Sequence, residues 1–172
     1  MILGISGKMG VGKTTIAEAI VKQTNQKYVI YNFADLLKHE VSVVFNIDII
    51  DCYTEEGKNS KYNNSQATIR DILQWYGSDI VRKQHPMHWV NAMRKVITES
   101  GNKNVIIPDV RFPNEDEFCD HTIRINPYKG WDKYSDHISE TALDALLFSY
   151  TFTPDYGRCN ECATAIIKEL NL

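Results

Sequence analysis

Eight residues near the start of the chain, Gly7-Lys8-Met9-Gly10-Val11-Gly12-Lys13-Thr14, restrict its fold more than any other feature. They complete the pattern G-x-x-x-x-G-K-[ST]. An apolar run, Ile2 to Ser6, precedes them and reads as a buried strand; Ile16, Ala17, Ile20 and Val21 follow at the spacing of a helix face. Strand, glycine loop and helix in that order make a cradle for a phosphate chain. Glycines let the loop curl until several backbone N–H groups point inward, where side chains would collide with a ligand. The helix adds the positive end of its dipole near Lys13. Gly7, Gly10, Val11, Gly12 and Thr15 are the expected cradle; Lys13 would reach the β- and γ-phosphates of ATP, and the Thr14 hydroxyl would coordinate Mg²⁺.

Strand and helix signals keep alternating beyond this loop. Tyr28 to Phe33, Val105 to Asp109, Thr122 to Asn126 and Leu147 to Thr153 read as further strands. Helical spacing covers residues 34–45, Ile69 to Ile80, Trp89 to Ile97, Ser139 to Leu143 and Arg158 to Leu170. This order predicts an α/β fold: a P-loop parallel sheet of about five strands, with helices on both faces. Residues 1–172 are expected to form one domain. Residues 46–67 change character, mixed from Asn46 to Tyr53 and then polar with no period from Glu55 to Lys61, which points to a mobile substrate-binding insert or to a tolerated surface insertion. Residues 126–137 are short enough for a reduced lid.

Composition narrows the classes. The net charge of -3 disfavours a general nucleic-acid binder. No stretch approaches the ~18 apolar residues of a membrane span, and Met1 to Ser6 is too short for a secretory signal, so a cytoplasmic location is expected. Of the four cysteines, Cys52 and Cys119 stand alone, while Cys159 and Cys162 form one CxxC with no second ligand pair. Structural thiols are the expected reading; metal or redox chemistry is the alternative. The oligomeric state is left open, a homodimer included.

Asp109 closes an apolar run and so lies at the sheet edge where the glycine loop opens, the place of a carboxylate that holds Mg²⁺ through water; capping the next turn is the alternative. Arg111, two residues on, offers a planar fork suited to a phosphate. The acidic run 114–117 after Pro113 reads as a helix N-terminus rather than a metal cluster. Arg70 and Gln74 share one helix face opposite Ile69, Ile72 and Leu73, placing a guanidinium and an amide together for an acceptor's phosphate and base, or else on a merely solvated face. Asp35 and Lys38 follow the second strand, and Arg82 and Trp89 flank Pro86; Trp89 reads either as a base-stacking ring or as core. Arg124 and Lys129 are the cations expected near the donor phosphates.

Taken in order, Gly7 to Thr15, 33–38 (FADLLK), 70–77 (RDILQWYG), Trp89-Val90, 107–115 (IPDVRFPNE) and 137–140 (HISE) make a chain that resembles the deoxynucleoside monophosphate kinases of tailed phages. The resemblance runs through nearly the whole chain, and the 109–115 block is its most specific part. It implies a P-loop, nucleoside-monophosphate-kinase-like (NMP-kinase-like) fold, Mg-ATP as donor, a deoxynucleotide as acceptor, Asp109 near Mg²⁺, Arg111 on a phosphate, Arg70 and Gln74 at the acceptor, and the host cytoplasm as location if the protein is viral. Two departures stand out: residues 126–136 hold Lys129 and Lys133 but no lid arginine, and the adenine-side loop 153–157 lacks an asparagine. Phosphorylation of a hydroxymethylated base in phage DNA, and a regulatory module without catalysis, are the alternative functions.

Overall fold

β1 (Ile2–Gly7) runs down the middle of a five-stranded sheet, and its composition explains why. Leu3 and Ile5 are wholly buried, as suits a parallel strand covered on both faces. The computed structural model describes residues 1–172. After β1 come α1 (Lys13–Gln23), β2 (Val29–Ile30), α2 (Phe33–Phe45), α3 (Ile49–Tyr53), α4 (Glu55–Asn59) and α5 (Ile69–Gln74). A π-helix (Trp75–Arg82) continues α5, followed by α6 (His88–Ser100), β3 (Val105–Val110), α7 (Pro113–Asp116), β4 (His121–Ile125), α8 (Ile138–Thr141), β5 (Tyr150–Phe152) and α9 (Cys159–Leu170). The sheet order is β2-β3-β1-β4-β5 with every pair parallel.

The chain divides into two compact units. The first holds residues 1–32 and 96–172 and contains the whole sheet. Its core joins Leu3, Ile5, Ile106, Ile123 and Ile125 from the strands to Ile16 and Ile20 of α1 and to Ala163 and Ile166 of α9. Each of these leucine and isoleucine side chains contributes roughly 1.5–3 kcal/mol by leaving water. The second unit, residues 33–95, is helical. Val41 of α2, Cys52 of α3, and Ile69, Ile72 and Leu73 of α5 form its core, with Phe45 meeting Tyr62, Trp75 and Tyr76 edge-on.

Several elements differ from the sequence expectation. Phe33 opens α2 instead of closing a strand, and β2 and β5 shrink to Val29–Ile30 and Tyr150–Phe152. The polar insert 46–67 contains two capped helices: Asp48 accepts from Ile50 N at the head of α3, and Thr54 from Gly57 N at the head of α4. Short caps organise what hydrophobic period does not reveal. No helix is long and apolar enough to cross a membrane.

Candidate functional site

The glycine loop owes its shape to close neighbours. Gly7 ends β1 with φ +152°, and a Cβ there would lie 2.5 Å from the Ile125 carbonyl oxygen, so only glycine lets β4 pack this close. Gly12, at φ +93°, would set a Cβ 2.9 Å from the Cys159 Sγ at the head of α9. Val11 is buried in the core, while Thr14 and Thr15 are exposed on the first turn of α1. Lys13 begins that helix and turns back: its Nζ donates to the Gly7 oxygen at 2.7 Å and to the Lys8 oxygen at 2.8 Å. Burial first, and the Arg111 guanidinium second, lower its pKa from 10.5 to about 7; Glu140 and Asp109 pull the other way and Arg124 adds to the lowering. An amine poised between its two forms is one that a phosphate can recharge.

β3 lies beside β1 with Ser6 opposite Val110, which brings Asp109 and Arg111 to the loop end of the sheet. Arg111 is held from two sides. Its backbone N–H donates to Glu115 Oε2 at 2.7 Å, as does that of Phe112 at 3.1 Å, so Glu115 at the third position of α7 caps that helix. The acidic run is thus a helix head, as its sequence suggested, but Glu115 itself is only 1% exposed. The Arg111 guanidinium pairs with Glu140 and donates to the Ser139 oxygen. Arg124, on β4, donates to Ser6 Oγ at 3.0 Å and to Asp144 Oδ1 at 2.8 Å. Asp109, Arg111 and Arg124 therefore all lie within electrostatic reach of Lys13.

Lys129 is exposed, and Lys133 is the lysine that reaches the loop: a Cβ on Gly10 would lie 2.8 Å from its Cδ. Trp131 Nε1 donates to the Met9 oxygen at 2.9 Å, so the segment after β4 lies across the glycine loop. From the last residue of β5 onward, Phe152, Thr153, Pro154, Asp155 and Arg158 line an open cleft of about 250 Å³. Glu161, Cys162 and Ala165 of α9 complete its lining.

In the helical unit, Asp35 accepts from Tyr53 Oη at 2.9 Å and pairs with Lys38 at 3.3 Å; the Lys38 ammonium sits 3.8 Å from the Tyr53 ring centroid. Burial and the Asp35 hydrogen bond raise the Tyr53 phenol to about 12. Arg70 pairs with Glu55 at 2.6 Å and donates to Asn59 at 3.3 Å, and Gln74 ends α5 on the exposed side. Arg82 closes the π-helix. Trp89 corrects one expectation: it is 3% exposed, its Nε1 donates to the Gly77 oxygen at 3.2 Å and its ring meets His88 edge-on, which leaves no face for a base.

Sequence reasoning assigned no role of their own to Lys8, Glu140 or Asp144. Lys8 Nζ pairs with Asp144 and donates to the Glu140 oxygen, and Met9 N–H donates to Glu140 Oε2 at 2.8 Å. Their partners lie more than a hundred residues away in the chain, beyond the reach of any local pattern. The His137–Glu140 stretch, already singled out, was the one available signal.

The donor set suits a hard cation. Thr14 presents an exposed hydroxyl and Asp109 a partly buried carboxylate, and no group of three or more His, Cys, Asp or Glu surrounds them. Mg²⁺ takes one or two protein oxygens and completes its shell with phosphate and water, so these residues fit it.

The model of the ATPase family associated with various cellular activities (AAA) matches residues 3–107. A search of curated proteins finds no match. Among solved structures, the shikimate kinase from Bacteroides thetaiotaomicron is similar at 17% identity and a TM-score of 0.52, over 100% of this chain and 99% of that one. A sugar kinase from Janibacter sp. HTCC2649 matches at 12% identity and a TM-score of 0.46, over 99% and 94%. The fold is that of P-loop kinases.

Proposed function

The chain belongs to the ATPase family associated with various cellular activities (AAA), and from that premise we propose that it transfers the γ-phosphoryl of ATP to a deoxynucleoside monophosphate. The observation that carries this is the clustering of Lys13, Asp109, Arg111 and Arg124 around one glycine loop. A module that only binds nucleotide needs Lys13 and the loop; it has no use for two further arginines at the same end of the sheet.

In-line transfer between phosphates demands positioning and positive charge more than proton transfer. An acceptor phosphate is already ionised at neutral pH, so no general base is required. Lys13 would leave the Gly7 and Lys8 carbonyls to grip the β- and γ-phosphates. Thr14 and Asp109 would hold Mg²⁺, which neutralises phosphate charge when bound. Arg111 and Arg124 would stabilise the charge that spreads over the moving phosphoryl group. Lys133 and Trp131 support a short lid within residues 126–137. Phe152 to Arg158 would face the adenine. Arg70, Gln74, Asp35, Lys38 and Arg82 are the proposed acceptor residues, within a substrate-binding unit that includes residues 46–67. The reading implies a protein of the cytoplasm, or of the host's if it is viral.

The deciding experiment is a panel. ADP release is measured with each natural deoxynucleoside monophosphate, with shikimate and simple sugars as hydroxyl acceptors, and with plain and hydroxymethylated DNA. Turnover that depends on a free monophosphate, and is abolished by Lys13→Ala, is the expected result. Turnover only with a hydroxyl acceptor or with DNA, or acceptor-independent hydrolysis alone, overturns the assignment.

A further inference from the structure

The carboxylate of Glu140 lies where an anion belongs. Its Oε2 accepts from the Met9 N–H, a donor of the glycine loop itself, and its Oε1 pairs with Arg111. The side chain is only 11% exposed. Glu140 also lies within electrostatic reach of Lys13. The rest of the segment is tied down by the same cations: Lys8 holds the Glu140 carbonyl oxygen and the Asp144 carboxylate, and Arg124 holds the other oxygen of Asp144. The crevice between Ser6, Gly7, Arg111, Arg124, Ser139 and Glu140 has no water-sized space in it.

A carboxylate and a phosphoryl oxygen seek the same partners, a loop N–H and an arginine fork. They cannot share them, because two anions at hydrogen-bonding distance from one N–H repel strongly. Arg70 makes the contrast plain. It too is paired with a glutamate, but Glu55 is 74% exposed, and a pair that open to water yields readily. Glu140 is walled in, bonded on both oxygens and anchored by its own backbone.

We propose that Glu140 is a built-in competitor for the donor's terminal phosphate: its carboxylate occupies the anion position between the Met9 N–H and Arg111, and α8 must withdraw before ATP seats fully, which hands Arg111 from the glutamate to the phosphoryl group. This rests on the reading of the glycine loop as the donor site, and it adds regulation to that reading. Affinity for ATP is lowered by the fraction of molecules in which Glu140 is engaged. ADP, which lacks the γ-phosphate, competes less directly with the glutamate. The arrangement therefore narrows the preference for ATP over ADP.

Calorimetric titration of the full chain with Mg-ATP and with Mg-ADP tests this in wild type, Glu140→Gln, Glu140→Asp and Lys13→Met. Glu140→Gln keeps a partner for Met9 N–H but loses the charge; it should tighten ATP binding about tenfold or more, and ADP binding distinctly less. Glu140→Asp, too short to span both partners, should tighten ATP binding in the same direction and serves if the amide variant melts without cooperativity. Unchanged or weaker ATP binding in both variants overturns the proposal. So does a loss of turnover with ATP affinity unchanged, which would make Glu140 part of the transfer machinery instead. If Lys13→Met binds ATP as wild type does, the donor does not use the loop and both readings fall. If Glu140→Gln tightens ATP as expected while no monophosphate is phosphorylated, only the acceptor assignment fails.

Discussion

Glu115 offers the sharpest test of how the site is built. Its Oε2 accepts from two successive backbone N–H groups, Arg111 at 2.7 Å and Phe112 at 3.1 Å, while the residue is 1% exposed. Glu115→Ala removes the acceptor from both, and an unmet buried donor costs about 1–3 kcal/mol. The two together, with some relief from entering water, come to a loss of about 2–5 kcal/mol out of a total stability of about 5–15 kcal/mol. Glu115→Gln keeps a carbonyl oxygen that can serve the same two donors and forfeits only the charge assistance, so it should lose about 1–2 kcal/mol. Urea unfolding at neutral pH, followed by far-ultraviolet circular dichroism, gives the midpoints, and an unchanged slope shows that the same surface is exposed in each case. Because one of the two donors belongs to Arg111, Glu115→Gln should also lower phosphoryl transfer more than ATP affinity. A Glu115→Ala protein within about 0.5 kcal/mol of wild type would refute the reasoning, since solvent would then replace both bonds at no cost. Equal losses in the two variants would refute its second half, the primacy of the hydrogen bonds over the charge.

Lys13 predicts a pH effect. Its folded pKa of about 7 lies below the ordinary 10.5, so the unfolded chain holds a proton that the folded one lacks between those values; the fold is increasingly weakened as pH falls from 10.5 towards 7, and constantly below. Lys13→Met should therefore be more stable than wild type at pH 7, with that advantage fading by pH 10; the same difference in urea midpoint at both pH values contradicts it. Gly12→Ala meets both an unfavourable φ of +93° and the Cys159 sulfur, so adding Cys159→Ala should recover part of the lost stability and not all of it. Full recovery would show that φ carries no cost there. At the proposed acceptor site, Arg70→Ala should lower kcat/KM for every deoxynucleoside monophosphate alike, whereas Gln74→Ala should reorder them, because an amide reads a base edge. A uniform loss in Gln74→Ala removes it from base recognition.

What was legible in the sequence is what local pattern dictates. Ile2 to Thr14 announces itself because strand, glycines and lysine are contiguous, and Val105 to Arg111 because an apolar run ends on charges. Trp89 looked ambiguous because helical spacing places it without saying which side is covered; Gly77, twelve residues earlier, settles it by accepting its N–H. The insert's helices α3 and α4 escaped because five-residue helices have no period to detect, and their caps, Asp48 and Thr54, are single polar residues that a linear pattern does not single out. The π-helix continued a helical spacing without revealing its wider turn. The roles of Glu140 and Asp144 escaped for a different reason. Their meaning lies in pairing with the glycine loop across most of the chain, and no single sequence displays that.

The position of β1 has a bearing on how the protein is made. β1 is the central strand, yet its partners, starting at Val105 and His121, leave the ribosome long after it. Until then Ile2 to Gly7 is an apolar strand with both edges open, in a nascent chain whose α9 is still missing from the surface of α1. Helices α2 to α6 can condense locally in the meantime, since their contacts are near in sequence. The sheet has to wait. Synthesis thus passes through an interval in which the future phosphate loop hangs from an unpaired strand, and this is the stage at which chaperone capture or aggregation competes with folding.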